Sequence, residues 1–239
     1  ANVDAAHGAT GITLAATNIT VTDQVTKSQA DTINAYTTAQ VTLSSVSDTV
    51  ANIISLNDIN NSEVTIASAN ITVTDSDSSN ISAANLAAIG AATTGSVTIS
   101  NAIDINGTAS ELIAALVTES TKVSVSDAAV TINNTSTIAE LNAIAAKTTG
   151  VVTATLGADS LVNLGALTTD GTDVITITVN DVDSAALVAA DLSTLGRKTA
   201  GTVTVNNAVA ITGSTDEVTA ALVTASTKVE VSNATITIN

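Results

Sequence analysis

The stretch KVSVSDAAVTINNTSTIAELNAIAAKTTG, residues 122–150, contains the pattern from which the rest of the chain is built. Apolar residues alternate with small polar ones on either side of a break at 126–129, which is the period-two pattern of half-buried β-strands. The apolar positions are Val123, Val125, Val130 and Ile132. The first half of the stretch therefore predicts two short strands around a bend.

The second half of the stretch carries the signals of a helix. Thr137 and Glu140 have the spacing of a capping box, in which two side chains satisfy free backbone donors at a helix start. The apolar residues that follow fall on one helical stripe. Lys147 suits the negative end of the helix dipole, and Gly150 can supply the left-handed residue that ends the helix. The complete unit is strand, bend, strand, helix.

The same unit recurs, with variations, along all 239 residues. The first strand residue of each unit serves as a marker, and neighbouring markers lie about 27 residues apart on average, a period typical of repeat proteins. The markers are Ile12, Val41, Val64, Val97, Val123, Val151, Val174, Val203 and Val229.

A longer period is superimposed on this one. The segment ALVTESTKV at 115–123 returns as ALVTASTKV at 221–229, which is 106 residues further on. The capping-box spacing of Thr108 with Glu111 likewise returns in Ser214 with Glu217. Two types of unit alternate, and we infer that duplication built the chain.

These patterns predict an α/β repeat fold. We expect a solenoid of about nine strand-strand-helix coils, each of roughly 27 residues, with parallel β ladders and Ala-rich helices on one side. Residues 1–239 would form a single elongated domain. Its repeat pairs would be, approximately, 11–38 together with 39–94, then 95–149, then 150–200, and finally 201–239, which is incomplete. The alternative is a string of small α/β domains of about 55 residues, although no linker rich in Pro, Ser or charge separates the pairs.

Composition restricts the function. The hydrophobic fraction of 45% argues against disorder, and a single aromatic residue, Tyr36, predicts a thin core of small branched side chains. A net charge of −16 with six basic residues excludes nucleic acid as a partner, and no run of about 18 apolar residues could span a membrane. With no Cys and only His7, no catalytic residue can be nominated, so we expect no enzymatic activity.

Two Asp-x-Asp pairs are candidate metal ligands because Ca²⁺ prefers carboxylate and carbonyl oxygens. Asp75 with Asp77, and Asp181 with Asp183, fall in predicted strand-to-helix loops. Asn57-Asp58-Ile59-Asn60 is a third loop of this kind. None matches an EF-hand or a Gly-rich calcium-binding nonapeptide, and Asp and Asn also cap helices and form turns. A divalent cation and a purely structural role both remain open.

Thr-x-Thr pairs recur on the predicted strands. If the alternation holds, the threonines of each strand share one face opposite Val and Ile, as in the Thr ladders of ice-binding proteins. Thr is also simply a favourable polar residue for strands. The pairs are Thr20 with Thr22, Thr72 with Thr74, Thr153 with Thr155, Thr176 with Thr178, Thr202 with Thr204, and Thr235 with Thr237.

Two stretches are rich in Ala, Thr, Val and Leu: LNAIAAKTTGVVTA at 141–154 and residues 191–205. With these stretches, the repeats resemble the long Ala/Thr/Val-rich tracts of giant bacterial cell-surface proteins and exoproteins, those of cyanobacteria especially. The resemblance implies secretion and a structural, adhesive or surface-layer role.

We therefore expect a non-enzymatic structural segment of an extracellular or cell-surface protein, such as a filament, surface layer or adhesin stalk, that self-associates through its open ends. The absence of Cys fits an extracellular protein that avoids thiol chemistry, although it is also compatible with a cytosolic protein. The alternative function is an ice- or calcium-binding module that uses the Thr-x-Thr faces or the Asp-rich loops.

Overall fold

The structure is a computed structural model that describes residues 14–56, 63–121 and 123–239. The predicted marker Ile12, as well as His7 and the Asn57–Asn60 loop, lie outside the described residues. Contacts divide the chain into two compact units. Unit 1 comprises the described residues of 1–106 and 110–128, and unit 2 comprises 107–109 and 129–239.

One to three strands precede each helix along the first part of the chain. The strands are β1 (Ile19–Val25), β2 (Val41–Asp48), β3 (Val64–Thr65), β4 (Asn70–Val73), β5 (Asn80–Ser82), β6 (Val97–Ile99), β7 (Asp104–Gly107) and β8 (Val123–Val125). The helices are α1 (Lys27–Asn34), α2 (Val50–Leu56), α3 (Ala83–Ala92) and α4 (Ala109–Leu112), which continues as a π-helical turn over Ile113–Val117. A 3₁₀ turn at Glu119–Thr121 precedes β8.

The second part of the chain repeats this order. Its strands are β9 (Ala129–Ser136), β10 (Val152–Leu156), β11 (Val174–Val179), β12 (Ala186–Val188), β13 (Val203–Val205), β14 (Val209–Gly213), β15 (Val229–Val231) and β16 (Ala234–Ile238). Its helices are α5 (Ile138–Ala145), α6 (Leu161–Leu164), α7 (Ala189–Gly196) and α8 (Thr215–Leu222), with a 3₁₀ turn at Ala225–Thr227.

All strand pairs within the units are parallel, as expected for successive repeats that run in the same direction. In unit 1 the order is β1-β2-β4-β6-β8 with β3 beside β2, and β5 pairs with β7. In unit 2 β9, β10, β11, β13 and β15 lie side by side, and β12-β14-β16 form a separate sheet. Val97 lies opposite Val123 and Val203 opposite Val229, so each partner is 26 residues further along the chain. The predicted α/β class with parallel ladders is confirmed.

The core consists of small branched side chains that alternate along the strands. In β13, Val203 and Val205 are buried while Thr204 between them is half-buried. The helices place one apolar stripe inward, as in α5, where Leu141 and Ile144 are buried. This arrangement matches the predicted thin core of Val, Ile, Leu and Ala.

The longer sequence period has a structural counterpart. Residues 75–133 align with 181–239 without gaps, and just over half of the aligned positions are identical. In the preceding part of the chain, Thr26, Asp48 and Asn52 align with Thr137, Asp159 and Asn163 at an offset of 111. Each unit is thus largely one copy of a duplicated block of repeats.

Helix starts follow the predicted capping chemistry. Thr137 with Glu140 and Ser214 with Glu217 form complete capping boxes, in which each side chain bonds the backbone N–H of the other residue. Thr26 with Gln29 forms a third box that the sequence analysis missed. The prediction that Gly150 ends α5 is wrong. The helix ends at Ala145, and Gly150 instead donates its N–H to the Thr148 hydroxyl at 2.9 Å in the turn before β10.

Buried threonines hold the turns between repeats. The Thr199 hydroxyl, which is 2% exposed, donates to the Ile175 carbonyl of the previous repeat at 2.8 Å and accepts the Gly201 N–H at 2.8 Å. Thr93 makes the corresponding contacts with Ala69 and Gly95 in unit 1. Because a buried hydroxyl without a partner is costly, these bonds fix the turn geometry.

Two helix glycines allow a close approach between neighbouring repeats. A Cβ at Gly90 of α3 would overlap the carbonyl oxygen of Thr121, and a Cβ at Gly196 of α7 would overlap that of Thr227. Both contacts are to backbone atoms, which cannot rotate away. Position 90 aligns with 196 and position 121 with 227, so the duplication preserves this contact.

We predict that Gly196→Ala destabilises the protein by about 1–3 kcal/mol, the usual cost of overpacking. In an exposed helix the same change stabilises by about 1 kcal/mol. The sign of the change in unfolding free energy therefore shows whether the close contact is present. Thr194→Ala, an exposed site on the same helix, is the matched control and should change stability by about 0.5 kcal/mol or less. Urea unfolding measures both variants, and a Gly196→Ala protein as stable as the original would refute the contact.

Candidate functional site

The Asp-x-Asp pairs lie in two equivalent loops, which we call the corner loops: residues 75–79 in unit 1 and 181–185 in unit 2. Each follows a strand of the main ladder, β4 or β11, and leads to a short strand, β5 or β12. Each contains a serine with positive φ, 60° at Ser78 and 64° at Ser184. The structure thus places each Asp-x-Asp pair in one loop, as the sequence spacing implied, and the two carboxylates of each pair bond different repeats.

The first carboxylate of each corner loop caps a helix of the preceding repeat. Asp75 Oδ2 accepts the backbone N–H of Val50, the first residue of α2, at 2.7 Å. Asp181 Oδ2 accepts the N–H of Leu161, the first residue of α6, also at 2.7 Å. A carboxylate at this end of a helix bonds a donor that lacks an intrahelical partner and interacts favourably with the helix dipole.

The second carboxylate of each corner loop bonds the following repeat. Asp77 Oδ1 accepts the N–H of Ala102 at 3.0 Å, and Asp183 Oδ1 accepts that of Ala208 at 2.9 Å. Asn207 also donates its side-chain N–H to the backbone carbonyl of Asp181 at 2.6 Å. Each corner loop therefore joins three successive repeats.

A metal at a corner loop would share these carboxylates with backbone donors. In the described part of the chain, no group of three or more His, Cys, Asp or Glu residues is placed to hold a metal ion. Calcium binding by Asp75, Asp77, Asp181 and Asp183 stays a prediction, while their bonds to neighbouring repeats give them a structural role.

Asp48 shows the same capping in another repeat. Its Oδ2 accepts the N–H of Lys27, the first residue of α1, at 2.8 Å. Burial opposes ionisation, but hydrogen bonds from the Asn52 side chain and from the N–H groups of Lys27 and Thr49 lower the pKa of this carboxyl. Asp48 therefore remains ionised in the folded protein well into the acid range.

The Thr-x-Thr residues lie on the outer face of the ladders. In unit 1, Thr72 of β4, Thr98 of β6 and Ser124 of β8 are directly opposite one another and form a row of hydroxyl groups. Thr98 and Ser124 are exposed and Thr72 is half-buried. The corresponding row in unit 2 is Thr178, Thr204 and Glu230, so it ends in a charge.

A cavity of ≈ 380 Å³ that is open to solvent lies in unit 2 between the turn before β10 and the loop before β11. Its lining comprises Ala145, Ala146, Thr148, Thr149, Gly150, Thr168, Thr169, Asp170, Thr172 and Asp173. The sequence analysis did not single out its two carboxylates. The alignment at an offset of 111 gives no signal for them, because it places Ile59 opposite Asp170 and Ser62 opposite Asp173.

Asp173 is a buried acid in the wall of this cavity, with 8% of its surface exposed. Its Oδ1 accepts the N–H of Val152 at 2.8 Å, and its backbone carbonyl accepts the N–H of Ala200 at 2.7 Å. Burial raises the pKa of Asp173, and the nearby charge of Asp170 raises it further. Hydrogen bonds lower the pKa in part, but the net shift is upward.

Comparison with protein-family models, with curated proteins and with solved structures finds no match to this chain. Among the described residues, no helix combines the length and the apolar character needed to cross a membrane.

Asp173→Asn should stabilise the protein at neutral pH. Because the folded-state pKa is raised, the stability that Asp173 contributes is complete below its unfolded pKa of about 4 and is lost as pH rises through the folded value. Asn keeps the oxygen that accepts the Val152 N–H and removes the charge. The melting temperature of the variant should therefore exceed that of the original protein at pH 7, by a margin that shrinks as pH falls toward 4.

Glu140→Gln is the control of opposite sign. Hydrogen bonds from the N–H and hydroxyl of Thr137 lower the pKa of Glu140, so its contribution is present at neutral pH and lost as pH falls. This variant should melt below the original protein at pH 7 and approach it in acid. If the effect of Asp173→Asn on the melting temperature did not depend on pH, burial of the Asp173 charge would not be the cause of the destabilisation.

Proposed function

We propose that the chain is a non-enzymatic structural segment of an extracellular or cell-surface protein, and that its repeats stack as a solenoid of strand-strand-helix coils. The observation that carries the proposal is the repetition of inter-repeat contacts after 106 or 111 residues. The corner loops, the buried threonines and the helix glycines all join one repeat to the next. Because these contacts recur along the chain, they favour a function that depends on the whole array of repeats over a function performed at a single site.

Self-association would use the edge formed by β15 and β16. Ile236 and Ile238 of β16 align with Val130 and Ile132 of β9 at the offset of 106. In β9, which pairs with β10, these positions are 1% and 5% exposed, whereas in β16 they are 49% and 57% exposed. An exposed apolar strand edge is a template for pairing with another chain. We propose that a further repeat covers this edge, and that in self-association a second molecule supplies it.

Electron microscopy and light scattering of the purified protein test this proposal. We expect rods or fibres, and a mass that increases with protein concentration. Ile236→Lys with Ile238→Lys should abolish that increase, because lysines block edge pairing. Val162→Lys, which changes an 85% exposed valine on α6, is the control and should leave assembly intact. Monodisperse compact particles at all concentrations would contradict the proposal.

Ice binding is the second candidate, favoured by the hydroxyl row of unit 1. Neighbouring strands place the hydroxyls of Thr72, Thr98 and Ser124 about 4.8 Å apart, a regular spacing that can order water. Thermal hysteresis should be measurable for the original protein and lost in Thr98→Lys. Thr204→Lys alters the aligned position in unit 2, where the row ends in Glu230, and should retain the activity. No hysteresis in the original protein would remove this candidate.

A further inference from the structure

Strand β16 has the same place in the repeat as β9 and as the first half of β1. Residues 234–239 align with 128–133 at the offset of 106, and 128–133 align with 17–22 at the offset of 111. The alignment places Ile236 at the position of Ile19. The chain therefore carries one type of strand at three places.

The structure shows which neighbour this type of strand takes. The N–H of Ile19 donates to the Gln40 carbonyl at 2.9 Å, and the N–H of Val130 donates to the Val151 carbonyl at the same distance. Strands β2 and β10 thus hold β1 and β9 in the same parallel register. Within the described chain, β16 pairs with β14 alone. It lacks the neighbour of the β2 type that the other two strands have.

The first half of β1 can leave β2 without disturbing the second half. A register irregularity between Val21 and Gln24 separates it from the part that leads into α1, and residues 15–18 before it are exposed. Backbone carbonyls of this segment, such as that of Thr17, accept hydrogen bonds from the next repeat, here the Thr37 hydroxyl at 2.8 Å. Any strand with the same backbone path supplies equivalent carbonyls, so an aligned strand can replace it.

We propose that β16 of one molecule replaces the first half of β1 in a second molecule and pairs in parallel with β2 of that molecule. The predicted pairs are Ile236 with Val41, Thr237 with Thr42, and Ile238 with Leu43. Because the two contributing surfaces differ, the contact is head-to-tail and can repeat from molecule to molecule, which gives an open filament. This strand exchange rests on the self-association proposed above and specifies how it occurs.

The exchange leaves the number of strand pairs unchanged. It uncovers Ile19 and Val21 and covers Ile236 and Ile238, so the apolar burial of the strands themselves nearly balances. The gain comes from what accompanies β16, because β14 pairs with it and α8 packs on β14, whereas the residues just before Ile19 are exposed. A whole repeat thus packs on β2 in place of a short segment, and burial of its apolar surface favours the assembled form.

A disulfide that locks β1 onto β2 tests the exchange. The chain has no Cys, so an introduced pair can form only one intramolecular bond. Thr20 lies opposite Thr42, and strands about 4.8 Å apart are within the Cα separation that a disulfide spans. Oxidised Thr20→Cys with Thr42→Cys should need at least a tenfold higher protein concentration to assemble, as measured by light scattering. Reduction should restore assembly.

The matched control is Thr178→Cys with Thr204→Cys, which face each other on β11 and β13, away from both exchanged strands. Its oxidised form should assemble like the original protein. If the original protein does not assemble, the proposed function and the exchange are both wrong. If the oxidised lock on β1 assembles as readily as its reduced form, the exchange alone is wrong and self-association uses another contact.

Cross-linking between molecules gives a second, independent test. An oxidised mixture of Thr237→Cys and Thr42→Cys proteins should yield the mixed disulfide, identified by mass spectrometry of proteolytic peptides. A mixture of Thr237→Cys with Thr98→Cys, an exposed site on β6, is the control and should not yield it. No mixed disulfide in the first mixture, or equal yields in both, would overturn the exchange.

Discussion

The narrow spacing of parallel strands is the constraint on which the rest of the structure depends. Strands of successive repeats lie about 4.8 Å apart, whereas helices normally need about 8–10 Å between their axes. The helices and core side chains that pack beside the strands must therefore occupy little width. Gly90 and Gly196 meet backbone carbonyls directly, and the buried residues are mainly Val, Ile, Leu and Ala. The near absence of aromatic side chains follows from the same requirement.

The polar residues are arranged by the connections between repeats. Every repeat must satisfy the backbone donors at its helix starts and turns, and at several of them a neighbouring repeat supplies the acceptor. The carboxylates of Asp48, Asp75 and Asp181 each accept the first N–H of a helix in the preceding repeat. Some of the carboxylates that give the chain its net charge of −16 thus stabilise helix starts.

The sequence predicted the elements well where the local signals were strong. The helix α5 after Thr137, the two strands around a bend within 123–136 and two of the three capping boxes appear as expected, because each depends on residues close together in the chain. The helix end at Ala145 was missed because Gly150 satisfies a local C-cap pattern while the turn at Thr148 determines where the chain leaves the helix.

The sites were harder to predict because their partners are distant in sequence. The spacing of Asp75 and Asp77 suggested a metal ligand pair, but their bonds to Val50 and Ala102 involve repeats on either side. The buried position of Asp173 arises from Val152 and Ala200, which lie more than 20 residues away in each direction. No local pattern contains that information, and the alignment of repeats places Ser62 opposite Asp173.

Amide hydrogen exchange at Leu161 tests the central claim, that side chains of one repeat cap the helices of the repeat before it. In an isolated helix this first-turn amide has no partner and exchanges rapidly. The account predicts slow exchange at Leu161, and loss of that protection in Asp181→Ala while the strand amide of Val203, bonded to the Lys228 carbonyl, stays protected. Rapid exchange at Leu161 in the original protein, or protection that survives Asp181→Ala, would contradict it.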